Sequence, residues 1–212
     1  MKKIVCLFIG VFTCVQLFAQ GVGFKSISLK EALEQAKTQG KMVFVDCYTT
    51  WCGPCKMMTE QVFPQKEAGD FFNTHFVNVK FDMEKGEGKE LSTRFKIRAY
   101  PTFLLLEPDG TERYRIVGGG ELEEFIGRVS RGLQEKNSLP VLDKEYTTGK
   151  MSKRRMLDLV MTLQDAYDAD RLKVVADELV KRLTFNEKVS TPYWVILFHS
   201  APLYVLWLVF TN

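Results

Sequence analysis

Hydrophobic positions along the chain fall into runs with strand character and runs with helical spacing. Met42-Val43-Phe44-Val45-Asp46-Cys47-Tyr48 is apolar except for one acid, the pattern of a strand buried on both faces of a sheet. His75-Phe76-Val77-Asn78-Val79-Lys80-Phe81-Asp82 alternates with period two and predicts a second core strand. Tyr100-Pro101-Thr102 leads into Phe103-Leu104-Leu105-Leu106, a third strand. The Pro108-Asp109-Gly110 turn joins this strand to Tyr114-Arg115-Ile116-Val117 as an antiparallel hairpin. Residues 22 to 27 have weak strand character.

The helical signals interleave with these strands. Ser28-Leu29-Lys30-Glu31 reads as a capping box ahead of the Leu29, Leu33, Ala36 stripe, and Gly40 suits the helix end. A helix is predicted from about Pro54 to Phe63, broken by Pro64, and a shorter one from Glu67 to Asn73. Met83 to Lys89, charged and carrying two glycines, reads as a loop before a short helix over Glu90 to Phe95. After Gly118-Gly119-Gly120, a helix from Glu121 to about Gln134 places Leu122, Phe125, Ile126 and Val129 on one face. The order strand, helix, strand, helix, hairpin, helix predicts an α/β fold with a central mixed sheet covered by helices on both faces.

Asn137-Ser138-Leu139-Pro140 marks the expected boundary with an all-α extension. There Met156, Leu159, Val160, Leu163 and Tyr167 share one face, as do Leu172, Val175, Leu179 and Leu183. They predict an antiparallel helix pair joined near Asp168-Ala169-Asp170, too little to count as a helical repeat.

The two ends bear on location. Met1-Lys2-Lys3, the apolar run Ile4 to Phe18 and Ala19-Gln20-Gly21 read as a secretory signal peptide over 1–19, exporting the chain to the periplasm. The run is short for a membrane span; an uncleaved anchor is the alternative, because Leu17 is larger than the residue a signal peptidase prefers near its cut. A domain over 22–136 and a helical extension over 141–212 follow. Tyr193 to Phe210 contains no Asp, Glu, Lys or Arg. A third apolar helix, or the end of a truncated chain, is preferred there over a membrane anchor, since Pro202 sits mid-run and the length falls just under a span.

Composition adds little to this picture and charge removes one class. The 212 residues, 46% hydrophobic and 26% charged, suit one globular domain with an appendage. Formal charge is +3, and loss of Lys2 and Lys3 with the signal leaves 27 basic against 26 acidic residues, so nucleic-acid binding has no electrostatic support. Of five cysteines, Cys6 and Cys14 lie in the signal. The remaining three cannot all pair internally, and in an oxidising compartment a closely spaced pair is a structural clip or a working redox couple.

Chemistry concentrates in Trp51-Cys52-Gly53-Pro54-Cys55-Lys56. Thiol exchange needs an attacking thiolate, a second sulfur to release the mixed disulfide, and an acceptor for the resolving proton. Cys52 at a helix N-terminus would be favoured as an anion, with Cys55 one turn on, more buried, and resolving. Gly53 and Pro54 shape the turn between them. Trp51 offers a flat apolar surface beside the sulfur, or else is a core aromatic. Asp46, six residues before Cys52, would have a raised pKa if buried and could accept the Cys55 proton directly or through one water; the alternative is an Asp held by backbone amides. Cys47 reads as a small core residue and His75 as a boundary residue. A zinc site built from Cys47, Cys52, Cys55 and His75 is not favoured.

Val45-Asp46, the Cys motif, Ile97-Arg98-Ala99-Tyr100-Pro101-Thr102, Asp109-Gly110 and Gly118-Gly119 together resemble the thioredoxin superfamily over about residues 24 to 134. The resemblance implies a thioredoxin-like fold and a redox-active Cys52–Cys55 disulfide that needs neither metal nor cofactor. It also implies a cis Tyr100–Pro101 bond in a loop that faces the disulfide, where the Tyr100 backbone would pair with a bound peptide. Trp51, Gly53, Pro54, Tyr100 and Pro101 would then meet the substrate. Two departures stand out: Asn78 aligns where the family often has a lysine facing the buried acid, with Lys80 two residues on as a substitute, and Tyr100 replaces a small aliphatic residue. The function these features imply is reduction of protein disulfides outside the cytoplasm, fed by a membrane electron donor. A disulfide isomerase or oxidase is the alternative enzyme, and a non-catalytic module that docks a partner on residues 141 to 183 is the alternative of another class.

Overall fold

The computed structural model describes residues 21–188 and 190, so the signal segment and the 193–210 stretch lie outside the described residues. Its sheet has five strands, β1 (Phe24–Lys25), β2 (Met42–Tyr48), β3 (Phe76–Asp82), β4 (Thr102–Leu106) and β5 (Glu112–Val117), in the order β1-β3-β2-β4-β5. β1, β3 and β2 run parallel, while β4 is antiparallel to both β2 and β5. β2 is the middle strand and is buried from Met42 to Cys47, as its apolar run demands.

Alternation along β2 sends Val43, Val45 and Cys47 to one face and Phe44 and Asp46 to the other. The first face packs with Val77, Val79, Leu104 and Leu106 against α1 (Leu29–Gln39) and Leu91 of α4 (Glu87–Arg94). On the second, Phe44 lies among Phe72, Phe103 and Phe125, with ring centroids 4.7 Å from Phe72 and 5.5 Å from Phe103. That face is covered by α2 (Gly53–Met57) and the π-helical turn after it, by α3 (Lys66–His75) and by α5 (Leu122–Leu133).

Local sequence explains most element ends. Ser28 and Glu31 form the reciprocal cap of α1, and Gly40 closes it in the left-handed region. The helix predicted from Pro54 to Phe63 begins instead at Gly53 and changes pitch: Met58–Val62 is π-helical, with the Phe63 amide donating to the Met58 carbonyl at 2.9 Å. Gly119 packs against this turn so closely that a Cβ there would lie 2.8 Å from Met58 Sδ. The predicted loop over 83–89 is shorter than its composition indicates, since α4 already starts at Glu87. The Glu87 carboxylate accepts from the Leu29 amide at 3.0 Å, a long-range contact that draws those charged residues into a helix.

Among the described residues four α-helices follow α5: α6 (Leu139–Thr147), α7 (Lys153–Asp165), α8 (Ala169–Arg182) and α9 (Phe185–Lys188). The apolar faces of α7 and α8 pair as the spacing predicts, around Met156, Leu159, Val160, Leu163, Val175 and Leu179. α6 was hidden by Pro140, which sits in its first turn, where a missing N–H costs nothing, and Leu142 of α6 joins this core. Tyr167 leaves the face assigned to it: α7 stops at Asp165, and Tyr167 stands in the left-handed region, φ 57°, with 77% of its surface exposed.

The extension docks on the sheet through one buried acid. Asp165, at the end of α7, accepts from Tyr114 Oη at 2.7 Å and from Arg128 Nε and Arg131 Nη2 at 2.8 Å each. Arg128 also donates to the Val117 carbonyl at 2.8 Å, so β5, α5 and α7 meet at one point. Removing one member of a buried pair leaves the other charge without compensation. Asp165→Ala is therefore expected to lower the unfolding free energy by about 3 kcal/mol in urea denaturation, and Asp165→Asn, which keeps an acceptor for Tyr114, by less.

Candidate active site at the Cys52–Cys55 disulfide

β2 ends at Tyr48, and four residues later the chain turns into α2 with Cys52 as its N-cap, φ −72° and ψ 111°. Cys52 and Cys55 form a disulfide with Cα atoms 5.3 Å apart. The Cys55 amide donates to Cys52 Sγ at 3.1 Å. Once the bond is reduced, this donor and the helix N-terminus favour Cys52 as the anion. Both cysteines are 4% exposed, so burial does not set them apart as the sequence predicts. Position does: Cys52 caps the helix, while Cys55 lies within it.

Trp51 is no core residue. It is 64% exposed, its ring stands edge-on to Tyr100 with centroids 5.9 Å apart, and its Nε1 donates to Glu84 Oε1 at 3.0 Å. The Tyr100–Pro101 bond is cis, and Tyr100 and Trp51 together form an aromatic shelf beside Cys52. The Gly118 amide donates to the Pro101 carbonyl at 2.8 Å and ties this loop to the end of β5; with φ +82°, Gly118 stands where other residues are strained.

Asp46 is 2% exposed, and its Oδ1 has no hydrogen-bond partner among the described residues. Loss of water pushes its carboxyl up to about 7, against the opposing pull of the Lys80 ammonium. Lys80 is the residue directly across from Asp46 in the β2–β3 register, whereas Asn78 lies across from Phe44 and donates to Asn73 Oδ1 at 3.0 Å. Lys80, offered by the sequence as the substitute for a lysine at Asn78, is thus the residue set across from the acid. A cavity of about 220 Å³, lined by Tyr48, Thr49, Cys55, Thr59 and Lys80 among others, joins Cys55 to the lysine that faces Asp46. It is roomy enough for water.

Cys47 points to the opposite face, where burial and then the Asp46 charge push its thiol up, so it stays protonated and inert. His75 ends α3 with Nδ1 2.8 Å from the Phe71 carbonyl oxygen. Among the described residues no three His, Cys, Asp or Glu side chains cluster as metal ligands. Glu84, the partner of the Trp51 indole, was missed by the sequence reading because the contact spans 33 positions and no local pattern marks it.

A helix start bearing a disulfide, on a mixed sheet with a cis-proline loop whose Tyr100 meets Trp51, defines a dithiol–disulfide exchange protein. The Thioredoxin-like domain family model matches residues 29–131. The thiol:disulfide interchange protein DsbD of Pseudomonas fluorescens is 33% identical over 103 residues, 47% of this chain but 18% of that protein. Thioredoxin AMT13 of Alternaria alternata is 35% identical over 89 residues, 42% of this chain and 70% of the relative. A solution structure from Bacteroides thetaiotaomicron, named as a candidate disulphide-isomerase, is 45% identical with a TM-score of 0.51, covering 55% of this chain and 97% of the other. The chain belongs to the thioredoxin-like family of thiol–disulfide oxidoreductases, with α-helices appended to the shared domain.

The elevated pKa of Asp46 carries a stability consequence whose sign is fixed. An acid raised from 3.8 to about 7 on folding binds its proton more tightly in the folded state, so stability is fully present below pH 3.8 and is lost as pH rises to 7. Asp46→Asn is expected to be more stable than the parent at pH 8, by on the order of 4 kcal/mol, and close to it at pH 4. Urea unfolding at the two pH values checks this, and an equal difference at both would contradict it.

Proposed function

We propose that the chain reduces disulfides of other proteins outside the cytoplasm, with Cys52 as nucleophile and Cys55 as resolving thiol. The Cys52 thiolate attacks one sulfur of the client disulfide, the other client sulfur leaves as a thiolate, and a mixed disulfide forms. Cys55 then gives its proton to the Asp46 carboxylate, through water in the cavity that Cys55 and Lys80 line, and attacks Cys52 Sγ; the second client thiolate leaves and the Cys52–Cys55 bond closes. Two electrons have passed to the client, and a membrane dithiol protein, itself oxidised to a disulfide, supplies two more to the Cys52–Cys55 bond by the same exchange.

The observation that carries this reading is the pairing of a disulfide at a helix start with a desolvated, unpartnered carboxyl on the same side of the sheet. A base of pKa about 7 is half ionised near neutral pH, where proton transfer to and from it is easiest. Gly53-Pro54 between the cysteines matches reducing members of the family, and the exposed Trp51–Tyr100 shelf suits a polypeptide lying across the sulfur. The charged start Met1-Lys2-Lys3 and the apolar run Ile4 to Phe18 support export. The likeness to a candidate disulphide-isomerase keeps an isomerase as the second reading.

The purified protein is expected to accelerate insulin reduction by dithiothreitol, with Cys52→Ser abolishing the effect and Cys55→Ser accumulating a mixed disulfide visible by mass. Full activity in Cys52→Ser would remove the proposal. The equilibrium potential separates the two enzyme readings: about −270 mV is expected of a reductase, and about −180 mV or higher would select the isomerase.

A further inference from the structure

A groove of about 1000 Å³ runs between the edge strand β5 and the turn joining α7 to α8. It begins at Ala99 and Thr102, on either side of the cis-proline dipeptide, so it continues from the loop beside the disulfide away from the sulfur. One wall is the appended helices, so the groove is built only in part by the family domain of residues 29–131.

Its charges are compensated on the helical wall and, on the sheet wall, at Arg113, which pairs with Glu107, and Arg115, which pairs with Glu112, but not throughout. On the helical wall, Asp143 pairs with Arg171, Asp168 caps α8 and lies 3.9 Å from Arg171, and Asp170 stands in the first turn of α8, where the helix N-terminus offsets its charge. On the sheet wall, Lys96 and Arg98 are exposed and form no ion pair among the described residues. Arg94 beside them meets only the Gly110 carbonyl, at 3.4 Å, and the Phe95 ring, at 4.9 Å. Three guanidinium or ammonium groups therefore face the groove without a counter-ion.

Two further observations coincide there. Lys96 and Tyr167 are the non-glycine residues with positive φ among the described residues, 51° and 57°, and they line opposite sides of this groove. Such backbone is costly and persists where surroundings hold it. Tyr167 presents an exposed ring, the kind of rigid amphipathic anchor that dominates polypeptide interfaces.

We infer that this groove is a docking site for an acidic polypeptide segment of the client, held by Arg94, Lys96 and Arg98 on the sheet wall and by Tyr167 on the other. The carboxylates of the helical wall make a phosphate backbone the poorer fit. The inference rests on the proposed exchange reading only for the identity of the occupant as client, so binding is measured separately from turnover.

The test is fluorescence anisotropy of the full chain with a labelled, cysteine-free, Glu-rich dodecapeptide, beside Lys-rich and uncharged controls and a single-stranded oligonucleotide. The Glu-rich peptide is expected to bind most tightly, to weaken as salt rises, to lose about tenfold in affinity with K96E/R98E and about fivefold with Tyr167→Ala. Circular dichroism of the variants reports that the fold is kept. Equal binding of the three peptides, retention of affinity in K96E/R98E, or tighter binding of the oligonucleotide would overturn the assignment. Attaching the Glu-rich segment to a disulfide peptide should raise kcat/KM about tenfold over the uncharged version. Binding without any turnover would count against the exchange reading and leave the groove standing; turnover without a charge preference would do the reverse.

Discussion

A carboxyl sits on the middle strand of a sheet covered on both faces, and much of the site follows from where that strand can go. β2 has neighbours on both edges and helices above and below, so Asp46 is stripped of water and its ionisation is costly. Only the end of the strand escapes, and there the chain must turn into a helix. That turn presents Cys52 to the unpaired amides of a helix start. One cysteine is thus favoured as an anion, and the other lies behind it on the side of a group able to take a proton. Opposite demands on two sulfurs three residues apart are met by two different environments.

Cys47 shows how strongly the pleat decides chemistry. It is the immediate neighbour of Asp46, yet it faces α1 and the aliphatic half of the core, where its thiol is harder to ionise than in water. A shift of one residue in the strand would exchange the two side chains and dismantle the site. The same logic explains Lys80, which reaches the acid because it shares a register position with it, while Asn78 meets Phe44.

The appended helices are joined to the domain by an ionic contact and not only by apolar surface. Asp165 gathers Tyr114, Arg128 and Arg131, and Arg128 also binds the carbonyl at the end of β5, a residue away from the glycine that holds the cis-proline loop. The extension therefore sits against the strand that supports the cis-proline loop, whose Tyr100 meets Trp51. It forms the second wall of the long groove leading away from that loop.

What the residues by themselves determined is everything carried by short-range pattern. The apolar run of β2, the alternation of β3, the capping box at Ser28, the turn at Asp109-Gly110 and the paired faces of α7 and α8 are local, because strand and helix periodicities and cap geometry are local. The cysteine motif and the buried acid upstream of it were legible for the same reason. Tertiary structure alone decided what depends on distant segments meeting. Pairing Lys80 with Asp46 needed the β2–β3 register, Glu84 needed the β3 end to approach Trp51, and Glu87 began a helix early because it reached the start of α1. Tyr167 left its apolar face because Asp165 was drawn into the domain two residues before it. In each case the deciding energy is a contact across tens of residues, which no window along the chain contains.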